Sequence, residues 1–217
     1  MRAVLFDMDG TLINSEPYWL IAERALMFRY GHMWTDEDQA YCIGGPLPKV
    51  GAYMSNLANG AEDADYFENE LIRLVANEFK NGLQFIPGAK ELVLELHARG
   101  IPLALVSASP RALVDSAVEL LPPCTFQTSV SSQDVKISKP DPESYLMAAE
   151  HLGVETKACV VIEDSKTGID AGLASGAVVI GIPHIITYPP SPRLRLLKNL
   201  VGVTADDVER IFFEESE

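Results

Sequence analysis

The chain has 217 residues, 47% hydrophobic and 22% charged, with 31 acidic against 17 basic side chains and a formal net charge of −14. That length accommodates one good-sized domain, or a core domain plus a small insertion, and the composition is that of an ordinary globular protein. The acidic balance excludes the basic footprint that nucleic acid or an anionic membrane requires, but not a phosphorylated small molecule, because a metal or a few local cations reverse the field inside one cleft.

The first apolar run, 3–6, reads as a buried strand and ends in Asp7-Met8-Asp9-Gly10-Thr11. The next strand candidate does not come until 102–106, and helical patterns fill the gap. Ser15, Glu16 and Pro17 open a helix that runs to Gly31, Thr35 caps a second, and Gly44-Gly45-Pro46 is a break. Phe67, Leu71, Leu74, Val75 and Phe79 form the apolar stripe of a long helix ending near Gly82. Region 88–99 places Leu92, Val93 and Leu96 on one helical face, with Gly100 as its C-cap.

Strand candidate 102–106 ends in Ser107-Ala108-Ser109, and a helix follows over 110–121. A third strand is predicted at 125–130. After Lys139-Pro140, Asp141 and Pro142 read as N-cap and first residue of a helix carrying Tyr145, Leu146, Ala149 and Leu152, stopped by Gly153. The fourth strand, 158–162, ends in Glu163-Asp164-Ser165; a helix over 167–175 and a fifth strand over 177–182 follow. The tail Glu214-Glu215-Ser216-Glu217 reads as a frayed, solvated end.

Strands alternating with helices predict an α/β fold, a doubly wound parallel sheet, with an inserted α-helical cap. The expected division is a core of 1–13 and 85–217 and a cap of 14–84. Cys42, Cys124 and Cys159 are odd in number and lack metal-ligand spacing, so they read as buried, reduced thiols. Asp7 and Asp9 interrupt any export signal, and the apolar stretch 177–186, with Pro183 and His184, is too short to span a bilayer. The expectation is a cytoplasmic protein, a monomer or weak homodimer, with neither nucleic acid nor membrane as partner.

In a parallel sheet the C-terminal strand ends share one edge, where such sheets bind ligands. Asp7 and Asp9, Ser107, Lys139, and Glu163 with Asp164 therefore converge on one crevice. Taken singly, each segment reads as a turn, a helix cap or a surface charge. Together they demand a cation, since grouped carboxylates repel, and Mg2+ takes oxygen ligands from one or two carboxylates plus phosphate oxygens. Lys139, the Ser107 hydroxyl and the backbone N–H groups near Ala108 and Ser109 offer donors to a phosphoryl group. A carboxylate at Asp7 can attack phosphorus, and Asp9 can protonate the leaving oxygen and then activate water.

The segments DMDGT, VSASP, SKPDP and VIEDSKTGIDAGLASG, in that order, resemble the haloacid dehalogenase superfamily, and specifically phosphatases with a helical cap inserted after the first strand. The resemblance covers nearly the whole chain. It implies Asp7 as nucleophile, Asp9 as general acid/base, Ser107 and Lys139 as phosphoryl ligands, and Mg2+ held by Asp7, the Asp9 carbonyl and Asp164, with Glu163 helping directly or through water. The cap would choose a small phosphorylated metabolite, a sugar or polyol phosphate, and Glu16, Trp19 and Lys49 are the residues expected to read it.

Asp9 separates the chain from the dehalogenase branch, which lacks it. Trp19 stands where the β-phosphoglucomutase branch has a histidine, so a hexose-phosphate mutase is the alternative. Lys49 keeps an imine-forming phosphonoacetaldehyde hydrolase as a third reading, and a phosphate-binding regulatory module is the non-enzymatic one. His32, His97, His151 and His184 read as structural or surface residues.

Overall fold

The structure, a computed structural model, describes residues 1–43, 45–182 and 188–216. The chain divides into two compact units, Met1–Asn14 with Gln84–Glu217, and Ser15–Leu83.

In the first unit β1 (Ala3–Asp7) lies at the centre of a six-stranded sheet. Its partners are β2 (Leu103–Val106), β3 (Thr128–Val130), β4 (Cys159–Glu163), β5 (Val178–Gly181) and β6 (Leu194–Leu196), in the order β3-β2-β1-β4-β5-β6. Every pairing is parallel. All five residues of β1 and of β4 are buried, as strands covered on both faces must be. The order reverses between β1 and β4, so their C-terminal ends flank the crevice that such sheets offer to ligands.

Helices α5 (Ala89–Ala98) and α6 (Arg111–Val118) belong to the connections running outward through β2 to β3. Helices α7 (Glu143–His151) and α8 (Lys166–Ala174) serve the connections around β4, and α9 (Ala205–Ser216) ends the chain. Right-handed crossovers leading away from β1 in opposite directions cover opposite faces of the sheet. Ala3, Leu5, Ala104, Val106, Val161 and Val179 share one apolar cluster with Tyr145 and Ala148 of α7 and Ile169 of α8.

Several expectations shift by a residue or two, and others are corrected. The third strand shrinks to Thr128–Val130, because the chain turns at 122–125, where the Thr125 N–H and hydroxyl both donate to Pro122 O, and bends through 125–127. Helix α7 starts at Glu143 with Pro142 as N-cap, and Asp141 accepts from the Glu143 N–H instead of capping the first residue. Leu146, placed on the apolar face by spacing, is exposed. Strand β6 had no apolar signature, since Leu194, Arg195 and Leu196 occupy a sheet edge where only Leu194 is buried. The acidic tail is helical through Ser216, because Arg195 binds both Glu214 and Glu215. Cys42 and Cys159 are buried and unbridged, whereas Cys124 is exposed at a turn with φ 64°. Pro183, His184 and Glu217 lie outside the described residues. Among those described, no helix is long and apolar enough to cross a membrane.

The secondary structure of the second unit's described residues is all helical: α1 (Glu16–Phe28), α2 (Asp36–Cys42), α3 (Leu47–Leu57) and α4 (Ala64–Lys80). Thr35 caps α2 in a full capping box with Asp38. Ser15, by contrast, precedes α1 without a side-chain cap bond. Phe67, Leu71, Val75 and Phe79 are the buried stripe of α4, with Leu74 at its margin. Helix α3 was not foreseen: Pro46 and Pro48 punctuate its start, where prolines are tolerated, and they mask its apolar face of Val50 and Met54. The expected break there includes Gly44, which lies outside the described residues.

Candidate active site

β1 delivers Asp7 to the carboxyl edge with 6% of its surface exposed. Lys139, from the loop before α7, reaches it from the side: Nζ lies 2.7 Å from Asp7 Oδ1, 2.8 Å from Glu163 Oε1 and 3.2 Å from the Val106 carbonyl. Three ammonium hydrogens therefore meet three acceptors, and the side chain is only 6% exposed. Asp7 Oδ2 is buried and has no hydrogen-bond partner.

Asp9 lies two residues beyond β1 in a bridge with Ile13. Ser107 Oγ and Ser109 Oγ donate to its Oδ2 at 2.9 and 2.8 Å, while Oδ1 is buried without a partner. The Ser109 N–H donates to Ser107 Oγ at 2.9 Å, and so is engaged within the loop, with Ala108 exposed at its tip. The loop after β2 thus holds Asp9 by one oxygen and leaves the other open.

Glu163 and Asp164 follow from β4. Asp164 Oδ1 accepts from Thr11 Oγ1 at 3.2 Å, and the Gly10 backbone, at φ 86°, passes so close that a Cβ there would meet Asp164 Oδ2 at 2.3 Å. Glycine at 10 is required on both counts. Glu163 has no exposed surface. Its Oε1 accepts from Lys139 and from the Tyr145 hydroxyl at 2.9 Å, and its Oε2 accepts from Ser165 N and Ser165 Oγ, each at 3.0 Å. A Cβ on Gly168 would lie 1.6 Å from Glu163 Oε1, so the carboxylate fills the space that a side chain at 168 would take.

Four carboxylates, Asp7, Asp9, Glu163 and Asp164, face one lysine. Burial pushes the Asp7 carboxyl well above its ordinary range, Glu163 adds to the rise, Lys139 opposes it, and Asp164 and Asp9 push it further up. Burial acts against the Lys139 charge, but Asp7 and Glu163 outweigh it and hold the ammonium well above the usual lysine range. Such a cluster is short of positive charge. Asp7, Glu163 and Asp164 each bring a carboxylate oxygen to within 4.8 Å of the others, and Asp7 Oδ2 is an orphaned buried acceptor, so the residues fit a divalent cation. Glu163 is the weakest candidate of the three for direct ligation, because its four lone-pair sites already meet four donors.

The cap candidates lie apart from one another in burial and contacts. Glu16 is exposed in the first turn of α1, and Trp19 is half-buried. Lys49 is exposed, with Nζ 4.0 Å from the centroid of the Tyr41 ring and 3.3 Å from the Tyr41 carbonyl. His32 is structural, bonding Asp38 at 2.9 Å, and His151 lies 3.2 Å from Thr128 Oγ1.

Sequence reasoning missed Glu23, which sits two helical turns from Glu16 on α1 and is 4% exposed, with Oε2 unpartnered. An acid amid an apolar helical pattern gave no signal. Burial, with Glu16 adding, pushes its carboxyl up to about 7, against hydrogen bonds from Gln39 and Trp34 that favour the anion. A group whose folded pKa lies above its unfolded value binds a proton on folding, so its contribution falls as pH rises from about 4.5 to 7. The loss across that window is at most on the order of 3 kcal/mol. Glu23→Gln is expected to melt several degrees higher than the wild type at pH 8, and to lose that advantage at pH 4.5, in parallel thermal unfolding scans. An equal offset at both pH values would show that Glu23 is not a buried titrating acid.

A parallel sheet with a carboxylate cluster and a buried lysine at its switch point defines a hydrolase-type α/β enzyme with an inserted helical unit. The profile of the haloacid dehalogenase-like hydrolases matches residues 4–182, and the chain belongs to that family. It is 30% identical over 186 residues to the phosphorylated carbohydrates phosphatase of Thermotoga maritima, covering 85% of this chain and 86% of that one. It is 32% identical over 185 residues to the bifunctional riboflavin kinase/FMN phosphatase of Arabidopsis thaliana, covering 84% of this chain but only 48%, about half, of that protein. A solved structure from Thermotoga maritima, assigned as a β-phosphoglucomutase, superposes with a TM-score of 0.76 at 26% identity, over 99% of both chains.

Proposed function

We propose that the chain is a Mg2+-dependent phosphatase that hydrolyses a small phosphorylated metabolite, of the sugar or polyol phosphate class, through an aspartyl phosphate on Asp7. The observation that carries this reading is a buried carboxylate with one oxygen fixed by Lys139 and the other free of partners, beside a second carboxylate held by two serines.

Asp7 attacks phosphorus and Lys139 orients it; the Ala108 N–H offers a donor to the phosphoryl oxygens, and the Ser107 hydroxyl and one Lys139 hydrogen join it by leaving Asp9 Oδ2 and the Val106 carbonyl, which they hold in this structure. Asp9 carries a proton at Oδ1, the atom that the two serines leave open, gives it to the leaving oxygen, and then takes one from the attacking water. Asp7 and Asp164, with the Asp9 carbonyl, would hold the magnesium ion, and Glu163 acts on it only at a distance, through its hold on Lys139. When bound, the ion would supply the positive charge that the cluster lacks and would offset the negative charge of the phosphoryl oxygens. The cap selects the leaving group, with Glu16, Trp19 and Lys49 as its readers. The similarity to a phosphatase of phosphorylated carbohydrates supports the substrate class.

The mutase reading has one specific support, the 26% identical structure assigned as a β-phosphoglucomutase. It uses the same aspartyl phosphate and returns the phosphoryl group to sugar. A panel of phosphorylated metabolites, assayed with and without Mg2+ and with Asp7→Asn as the blank, decides between them. Net phosphate release from sugar or polyol phosphates, lost on chelation, is the expected result. Interconversion of hexose phosphate isomers without phosphate release would replace the phosphatase reading with the mutase one.

A further inference from the structure

We propose that Tyr145 is a positioning residue for the catalytic lysine, acting through Glu163; this rests on the phosphatase reading for its kinetic consequence but not for its geometry. Tyr145 has no exposed surface and projects from α7. It touches the Lys139–Glu163 pair twice. Its hydroxyl donates to Glu163 Oε1 at 2.9 Å, and its ring lies 4.9 Å, centroid to Nζ, from the Lys139 ammonium. Glu163 Oε1 is the same atom that accepts from Lys139 at 2.8 Å.

One oxygen therefore accepts from two donors, and both bonds draw on the same charge. Lys139 is shared in turn between Glu163 Oε1 and Asp7 Oδ1, at 2.8 and 2.7 Å. The phenol draws charge from Glu163 and so limits its hold on the ammonium, which leaves Lys139 balanced between the two carboxylates. The ring offers its negative face to the cation and closes its remaining side. Ser165 fixes the far oxygen, so Glu163 cannot turn to compensate for a lost donor. Without the hydroxyl, Glu163 Oε1 keeps one partner and binds it harder, and Lys139 withdraws from Asp7. A purely space-filling tyrosine would have no such effect, since phenylalanine preserves the ring and its packing.

The consequence falls on the step in which Lys139 and Asp7 act together, not on substrate capture by the cap. Tyr145→Phe is expected to lower kcat for an aryl phosphate roughly tenfold, per folded enzyme, with KM within about twofold. A second readout needs no activity. In wild-type protein labelled with 15N-lysine, the Lys139 ammonium, identified by its absence in Lys139→Met, is expected as a slowly exchanging resonance. In Tyr145→Phe it is expected to move and to exchange faster. An unmoved resonance with kcat within twofold of wild type overturns the proposal, as does a rapidly exchanging Lys139 ammonium in the folded wild type. Wild-type protein that releases no phosphate from any ester overturns the phosphatase reading instead, and the resonance still decides the role of Tyr145.

Discussion

Asp7→Asn is expected to release no phosphate above the blank from any substrate that the wild type hydrolyses. The amide is nearly isosteric with the carboxylate, so the sheet edge keeps its shape. What disappears is the anionic oxygen that attacks phosphorus, and with it one member of the cluster that would hold the cation. Lys139 then faces Glu163 as its remaining anionic partner. The variant is also expected to be at least as stable as the wild type in the absence of metal. Burial and the neighbouring carboxylates hold the Asp7 pKa above its unfolded value, so in the metal-free protein ionising Asp7 costs stability as pH rises past the usual carboxyl range. Phosphate release and thermal unfolding measured on one preparation check both statements. An inactive variant that is also unfolded would not support the assignment, and substantial turnover in a folded one would remove it.

Asp9→Asn is the second large effect. Oδ2 of Asp9 is committed to the Ser107 and Ser109 hydroxyls, and an amide oxygen preserves those bonds. The amide nitrogen then occupies the place of Oδ1, the atom assigned to carry the proton. Structure is kept and proton transfer is lost, so kcat is expected to fall by roughly 10² to 10⁴, the range typical of general acid–base catalysis. Leaving groups that need no proton separate the roles: a substrate with an acidic phenol should suffer less than a polyol phosphate, whose alkoxide leaves only when protonated. Equal losses on both substrates would make Asp9 a structural or metal-holding residue rather than the acid.

The core was legible because a parallel sheet writes itself in apolar runs, and because each strand that matters stops at a polar residue. Asp7, Ser107 and Glu163 all stand at or just past such a stop, so the topology alone brings them together. Asp9 and Lys139 followed from their positions in the loops beyond. Features without that contrast stayed hidden. Strand β6 is half polar at the sheet edge, and α3 begins among prolines. The tail, read as solvated acid, is ordered by Arg195, whose partners lie 19 and 20 residues away. At Glu163 the sequence shows that a carboxylate stands at the strand end, but not that four donors already surround it. Tyr145 read as one apolar position on a helix face, and only the fold reveals its hydroxyl on Glu163. Glu23 was invisible for the converse reason, a polar residue buried where the helical pattern placed no demand on it.

The covalent intermediate is the most direct test of the account. Wild-type enzyme turning over a phosphate ester with Mg2+ is quenched in acid within a turnover and reduced with borohydride, which converts an aspartyl phosphate to homoserine, and its peptides are then sequenced by mass spectrometry. Homoserine is expected at position 7 and at no other aspartate. Phosphate release with Asp7 recovered unchanged at every quench time, or homoserine at Asp9 or Asp164, would contradict it.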